Sequence, residues 1–191
     1  DLAHISEAGF WSAVEVHDPS LPLIVTHTGV DGVWPHWRNL SDAQVRAVAD
    51  SGGCIGVMMQ ESFLGKRPTS AATVVDHLAH IIEVGGEGAP ALGSDYDGMV
   101  TPPPDLPRHA QWPRLVEEMA RRGWRDERIA AVLGGNALRV IEAIGRCVVW
   151  VDEIEKALAG ATDGGADGGV SKDALGAILS WMQERTSEAF I

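Results

Sequence analysis

The stretch Ala91-Leu92-Gly93-Ser94-Asp95-Tyr96-Asp97-Gly98 decides the fold. It is a short apolar approach, then two acids one residue apart, closed by glycine and the Pro-rich run Thr101-Pro102-Pro103-Pro104. A strand that runs out at its C-terminal end into acids is where α/β barrels place their chemistry. Acids in a turn also bond to their own backbone. Asp95 therefore reads as either a turn residue or a catalyst until the segments upstream are considered.

On either side of this stretch the chain alternates strand-like and helix-like segments. Leu21 to Thr26 is a short β-branched run ending in His27, and Gly53 to Met59 is a continuous apolar run. Between them Ser41-Asp42-Ala43-Gln44 has the spacing of a capping box and opens a helix to about Asp50. Thr69 or Ser70 caps a helix with Val74, Val75, Leu78, Ile81 and Ile82 on one face. Asp1 to His4 reads as the end of an earlier strand, followed by a helix from Ile5 to Val16 capped by Ser6. Helical spacing returns over 112–122, 125–133 and 136–144. Apolar strands separated by helices predict an α/β fold with a covered parallel sheet. The count is about four βα units over residues 1–145, half of an eightfold barrel.

Residues 146–191 differ in character. Cys147 to Val151 is a strand run ending in Asp152-Glu153. A Gly/Asp-rich loop spans Gly160 to Gly169, and an amphipathic helix runs from about Ser171 to Arg185. The sequence begins at Asp1 and stops at Phe190-Ile191, so both ends read as cuts.

Composition narrows the partners. The net charge is −12, from 15 basic and 27 acidic residues, a balance that disfavours nucleic acid and anionic membrane. No stretch reaches the roughly 20 apolar residues of a membrane span. Cys54 and Cys147 both lie in apolar runs, which suggests buried thiols in a reducing, cytoplasmic compartment. Open sheet edges would allow a homo-oligomer.

His4, His27 and Asp95 each follow a strand-type run. On parallel strands all three emerge on one rim. Neutral imidazoles are common zinc ligands, and a nearby carboxylate serves as ligand or proton shuttle. A single histidine in such a place is more often structural. Two of them with an acid make a metal site an equal contender.

Five segments then carry a family resemblance. They are Asp1-Leu2-Ala3-His4-Ile5-Ser6, Ile24-Val25-Thr26-His27-Thr28, Trp37-Arg38-Asn39-Leu40-Ser41-Asp42, Gly93-Ser94-Asp95-Tyr96-Asp97-Gly98 and Gly134-Gly135-Asn136-Ala137-Leu138-Arg139. In this order they resemble the C-terminal half of the membrane (renal) dipeptidase family, dinuclear zinc peptidases on an amidohydrolase-type TIM barrel. The resemblance covers residues 1–145. It implies that His4 and His27 ligate one zinc, and that Asp95 handles protons while metal-activated water attacks the amide. It also implies that Arg38 holds the free carboxylate of a dipeptide substrate, a task its planar fork suits. His17, His36, His77, His80 and His109 match no ligand motif, and His77 and His80 read as surface or structural. The family's N-terminal half is not in this sequence, and with it go the first-strand His-x-Asp pair, the bridging carboxylate and the substrate histidine.

A second resemblance is unrelated. Val148 to Lys156 is similar to the Walker B strand of an AAA-type ATPase, with Asp152 and Glu153 in the place of acids that hold Mg²⁺ and polarise water. No Gly-x-x-x-x-Gly-Lys-Ser/Thr loop is present in the sequence, so binding of Mg²⁺ and ATP is not expected. The expected function is zinc-dependent dipeptide hydrolysis, incomplete in this chain. The rivals are an ATPase-derived module and a non-enzymatic remnant that binds no metal.

Overall fold

The computed structural model describes residues 1–145 of the 191. The chain divides into Asp1–Ala143 and Ile144–Ile191. The strand expected at 147–151 and its acids Asp152 and Glu153 lie outside the described residues.

The first unit is built on strands β1 (Ile24–Thr28), β2 (Cys54–Val57) and β3 (Pro90–Leu92). They form a parallel sheet in the order β1-β2-β3. Every residue of β2 is buried, as a middle strand covered on both faces requires. Cys54 is a buried free thiol. Helices α1 (Glu7–Val16), α2 (Asp42–Asp50), α3 (Glu61–Leu64), α4 (Ala71–Gly85), α5 (Pro113–Arg121), α6 (Asp126–Ala130) and α7 (Asn136–Ile144) connect and flank the strands. α4 packs between α2 and α5. It presents Val74, Val75, Leu78 and Ile81, all fully buried, to a core that includes Val45, Val48, Ile55, Leu115 and Met119. No described helix is long and apolar enough to cross a membrane.

Caps set the helix starts as expected. Ser6 Oγ accepts from the Gly9 amide at 3.1 Å. In α2 the Ser41 amide donates to Gln44 Oε1 at 2.9 Å, and the Gln44 amide donates back to Ser41 Oγ. A Ser→Ala change at such a cap costs about 1 kcal/mol.

The fold differs from expectation at its start. Asp1 to His4 adds no strand, so among the described residues the sheet has three strands, not four. Leu2 donates one backbone bond to Ile24 O at 2.8 Å. The Asp1 carboxylate then takes both the Thr26 amide (3.1 Å) and the Thr26 hydroxyl (2.8 Å). His4 adopts a left-handed φ of 64°, which turns the backbone away from β1 before pairing can continue.

The two ends of the sheet do different work. At the N-terminal ends of β2 and β3, Asn136 Nδ2 donates to Glu87 O and Pro90 O, each at 2.9 Å. Arg139 donates to Gly52 O at 2.7 Å and to Gly88 O at 2.9 Å. The segment Gly134–Arg139 is thus a structural clasp. Gly134, at φ 177° and ψ −24°, interrupts the α-helical pattern between α6 and α7 in a π-type turn, Ala131–Gly135.

His77 is another staple, 0% exposed. Its Nδ1 accepts from the Val30 amide at 3.0 Å, so Nε2 carries the proton and donates to Leu64 O at 2.9 Å. The ring must therefore be neutral. Burial pushes its pKa below the ordinary 6.5, against the pull of the Leu64 carbonyl and Asp76. A depressed folded pKa contributes stability that is present above 6.5 and lost as pH falls through the folded value. Thermal melts should therefore drop as pH is lowered from 6.5 towards 5. His77→Gln should lower the melting point at pH 7.5 and flatten that pH slope. An unchanged slope would mean that His77 does not set it.

Candidate functional site

The site forms at the C-terminal rim, where four segments meet. β1 supplies His27, the turn after Leu2 supplies His4, the loop 29–39 supplies Arg38, and the end of β3 supplies Asp95.

A bulge aims His27. The register pairs Val25 with Ile55 but Thr28 with Val57, so β1 carries an extra residue between them. The Thr26 carbonyl oxygen is turned against Gly56 and Gly93, so close that a Cβ on either glycine would collide with it. Glycine inside a buried strand often marks such an approach.

Arg38 is placed by its neighbours' polar groups. Thr28 Oγ1 donates to Arg38 O at 2.9 Å. The buried Asn39 accepts from the Gly29 amide at 3.1 Å and donates to Trp34 O and Phe63 O at 2.8 Å each. The guanidinium sits 5.6 Å from the Phe63 ring centroid and 5.8 Å from that of Trp37. Trp37 itself is 85% exposed at the mouth of the site.

Asp95 occupies the first position of a tight turn, with φ 57° and the Gly98 amide donating to its carbonyl at 2.9 Å. Its carboxylate lies against Gly98, where a side chain would strike it. Among the described residues that carboxylate makes no hydrogen bond to its own turn. Both readings of the stretch therefore hold together: the backbone is a turn, and the acid is free to act. Tyr96 steadies the segment by donating to Leu106 O at 2.9 Å and accepting from Trp112 Nε1 at 3.2 Å.

His4, His27 and Arg38 are in direct contact around a cavity of about 310 Å³. His27 Nε2 stands 2.7 Å from His4 Nε2, and Arg38 Nη1 stands 2.8 Å from His4 Nδ1. Asp95 is not hydrogen-bonded to them and does not line this cavity. Its charge nevertheless reaches His27. Burial holds the His27 pKa below 6.5, Asp95 pulls it up, and His4 and Arg38 push it down.

Donor logic fixes the protons along this contact chain. Arginine has no acceptor, so His4 Nδ1 accepts and the His4 proton sits on Nε2. His4 Nε2–H then donates to His27 Nε2. His27 Nδ1–H, 3.0 Å from Thr26 Oγ1, donates to it, and the Thr26 hydroxyl donates to Asp1 Oδ2 at 2.8 Å. Asp1 and Thr26 thus orient a site histidine, a role that sequence reading missed. Only the acid and the hydroxyl beside the histidine motifs hinted at it.

Two imidazole nitrogens converging on one point suit a metal ion, and His27 Nε2 is already in the acceptor form a metal takes. Zinc sites hold about four ligands. Among the described residues no group of three or more His, Cys, Asp or Glu side chains gathers. The donor set fits half of a site.

Comparison with known proteins gives this rim a context. The family described as Membrane dipeptidase (Peptidase family M19) matches residues 1–148. An uncharacterised protein in the pqqA 5′ region of Klebsiella pneumoniae is 37% identical over 149 residues, covering 75% of this chain and 54% of that protein. Dipeptidase ataJ of Aspergillus terreus is 33% identical over 147 residues, covering 75% of this chain and 35% of that one. A metallo peptidase from Rhodobacter sphaeroides, solved with a phosphinate mimic of the dipeptide L-Ala-D-Ala, superposes with a TM-score of 0.69 at 30% identity. That match covers 73% of this chain and 40% of the peptidase. The chain therefore spans about half, or less, of the length of these relatives. The family match ends before Asp152 and Glu153. The three-stranded α/β unit with its C-terminal rim belongs to the membrane dipeptidase family, Peptidase family M19.

Proposed function

We propose that residues 1–148 carry the carboxylate-binding and proton-handling half of a zinc dipeptidase site. The observation that carries this reading is the convergence of His4, His27 and Arg38 at one strand-end rim. In this reading His4 and His27 hold a zinc ion. The ion, when bound, supplies the Lewis acidity that makes water a nucleophile near neutral pH. Arg38 pairs with the dipeptide's free carboxylate and orients the amide. Asp95 takes the proton from the attacking water and gives it to the departing amine. Thr26 and Asp1 keep the His27 ring in the tautomer that leaves Nε2 open. The dipeptide mimic bound by the Rhodobacter relative supports this substrate class.

Two histidines give loose binding, because a zinc site takes about twice that number of ligands. Zinc titration by calorimetry should show uptake by the native chain and its loss in the His4→Ala/His27→Ala double variant. Equal uptake by both proteins would sink the assignment.

Residues 149–191 enter the proposal on sequence alone. Asp152 and Glu153 read as acids from an ATPase-type strand with no phosphate loop to act on.

A further inference from the structure

We propose that Trp37 selects the residue that bears the substrate's free carboxylate: its exposed indole is a platform for a large apolar side chain, aromatic above all. The inference rests on the reading of Arg38 above and adds a substrate preference to it.

Two aromatic rings flank the Arg38 guanidinium, and they are not equivalent. Phe63, with its centroid at 5.6 Å, is committed to the protein. Its ring lies 4.2 Å from that of His36, it is half-buried, and it does not line the cavity. Trp37, at 5.8 Å, lines the cavity and is 85% exposed. An indole that served only to hold Arg38 would be covered by it, and this one leaves most of its surface to water. The backbone beneath the indole is pinned. The His36 amide donates to Asp31 Oδ1 at 3.2 Å, the Arg38 amide to His36 Nδ1 at 3.2 Å, and the Asn39 amide to His36 O at 2.8 Å. A fixed backbone carrying a free indole is a preorganised contact surface, because tryptophan offers a large area with few rotatable bonds.

Geometry then sets what lands on it. A carboxylate bonded to the guanidinium fork has its own Cα next to it, so the side chain of that residue projects beside the fork. One flank is closed by Phe63 and His36, and the open flank is the indole. Ile5, 40% exposed, lines the same cavity and offers a second apolar surface. Glu7 and Asp31 line it too, which disfavours an acidic side chain there. An apolar side chain that stacks on the indole removes water from both surfaces. Dipeptides ending in phenylalanine, or in another large apolar residue, are therefore the favoured class.

The test uses the full 191-residue chain without added metal, so that carboxylate binding is read apart from hydrolysis. The probes are N-acetylphenylalanine, N-acetylalanine and the uncharged N-acetylphenylalanine amide, each followed by NMR titration. N-acetylphenylalanine should bind about tenfold more tightly than N-acetylalanine, the low end for a hydrophobic contact. The amide should not bind measurably. Trp37→Ala should bring N-acetylphenylalanine to the N-acetylalanine value, and Trp37→Phe should restore most of the difference. The indole N–H signal that disappears in Trp37→Phe should shift with N-acetylphenylalanine. Arg38→Ala should abolish binding of both acids. Equal affinities for the two acids in the native chain, or a preference that persists in Trp37→Ala, would overturn the inference and leave Arg38 as the clamp. Amide binding as tight as that of the acid would show mere stickiness of an exposed ring, and would overturn it too. Acid binding indifferent to Arg38→Ala, or none at all, would sink the reading of Arg38 and the inference on Trp37 together.

Discussion

Asp95→Asn is expected to lower kcat by at least about 10²-fold in a protein whose metal site is complete, the usual worth of a positioned acid–base group. The isolated chain is the wrong place to measure this. Among its described residues the donor set is two imidazoles, and dipeptide hydrolysis by it should sit near background. The test protein fuses residues 1–148 to the part of the Rhodobacter sphaeroides metallo peptidase that the chain does not match. In that protein the Asn amide keeps the size of the side chain but cannot take a proton. The turn should survive, because it is held by the Gly98 amide on the Asp95 carbonyl, a backbone contact. KM should change little, since the proposal gives the orientation of the substrate to Arg38 and not to Asp95. Unchanged kcat in Asp95→Asn would reduce this residue to a turn former.

The parts of the fold read from sequence are those where side-chain pattern and structure share a cause. Ser41 and Gln44 are spaced for a capping box, and the bonds are there. Val74, Val75, Leu78 and Ile81 repeat at helical intervals because one face of α4 is buried. What pattern could not set is where pairing begins and ends. β1 starts at Ile24 rather than Leu21, since the Leu23 amide is taken by Ser51 Oγ at 2.8 Å. α3, at four residues, is too short to show a period in the sequence. Its first residue, Glu61, is buried because it accepts from the Thr69 amide at 2.9 Å, a long-range partner that no local signal announces.

The site divides in the same way. His4, His27, Arg38 and Asp95 were named from motifs. The structure joins the first three by contact and Asp95 to His27 only through its charge. The residues that position them escaped notice because their work is done on backbone atoms far along the chain. Asn39 ties Gly29 to Phe63, and His77 ties Val30 to Leu64. Neither side chain carries a sign of this in sequence. Gly93 did carry one, as a glycine inside an apolar strand run beside a candidate catalytic acid.

Gly93 also gives the largest expected loss of stability. A Cβ at Gly93 would be driven into the Thr26 carbonyl oxygen. Overpacking a core typically costs about 1–3 kcal/mol. Here the obstacle is backbone rather than a flexible side chain, so Gly93→Ala should cost at least about 3 kcal/mol. For a chain of this size that lowers the melting temperature by roughly 6–12 °C. Gly88→Ala is the matched control, because its Cβ would meet only the Arg139 guanidinium, at 3.5 Å. It should melt close to the native chain. Gly93→Ala should also weaken zinc uptake, because the Thr26 carbonyl belongs to the bulge that aims His27. Relief can come only by moving β1 or β3, and the two carry His27 and Asp95 respectively. A Gly93→Ala protein that melts with the Gly88→Ala control and binds zinc like the native chain would show that the close approach of β1 to β3 is not what sets the site.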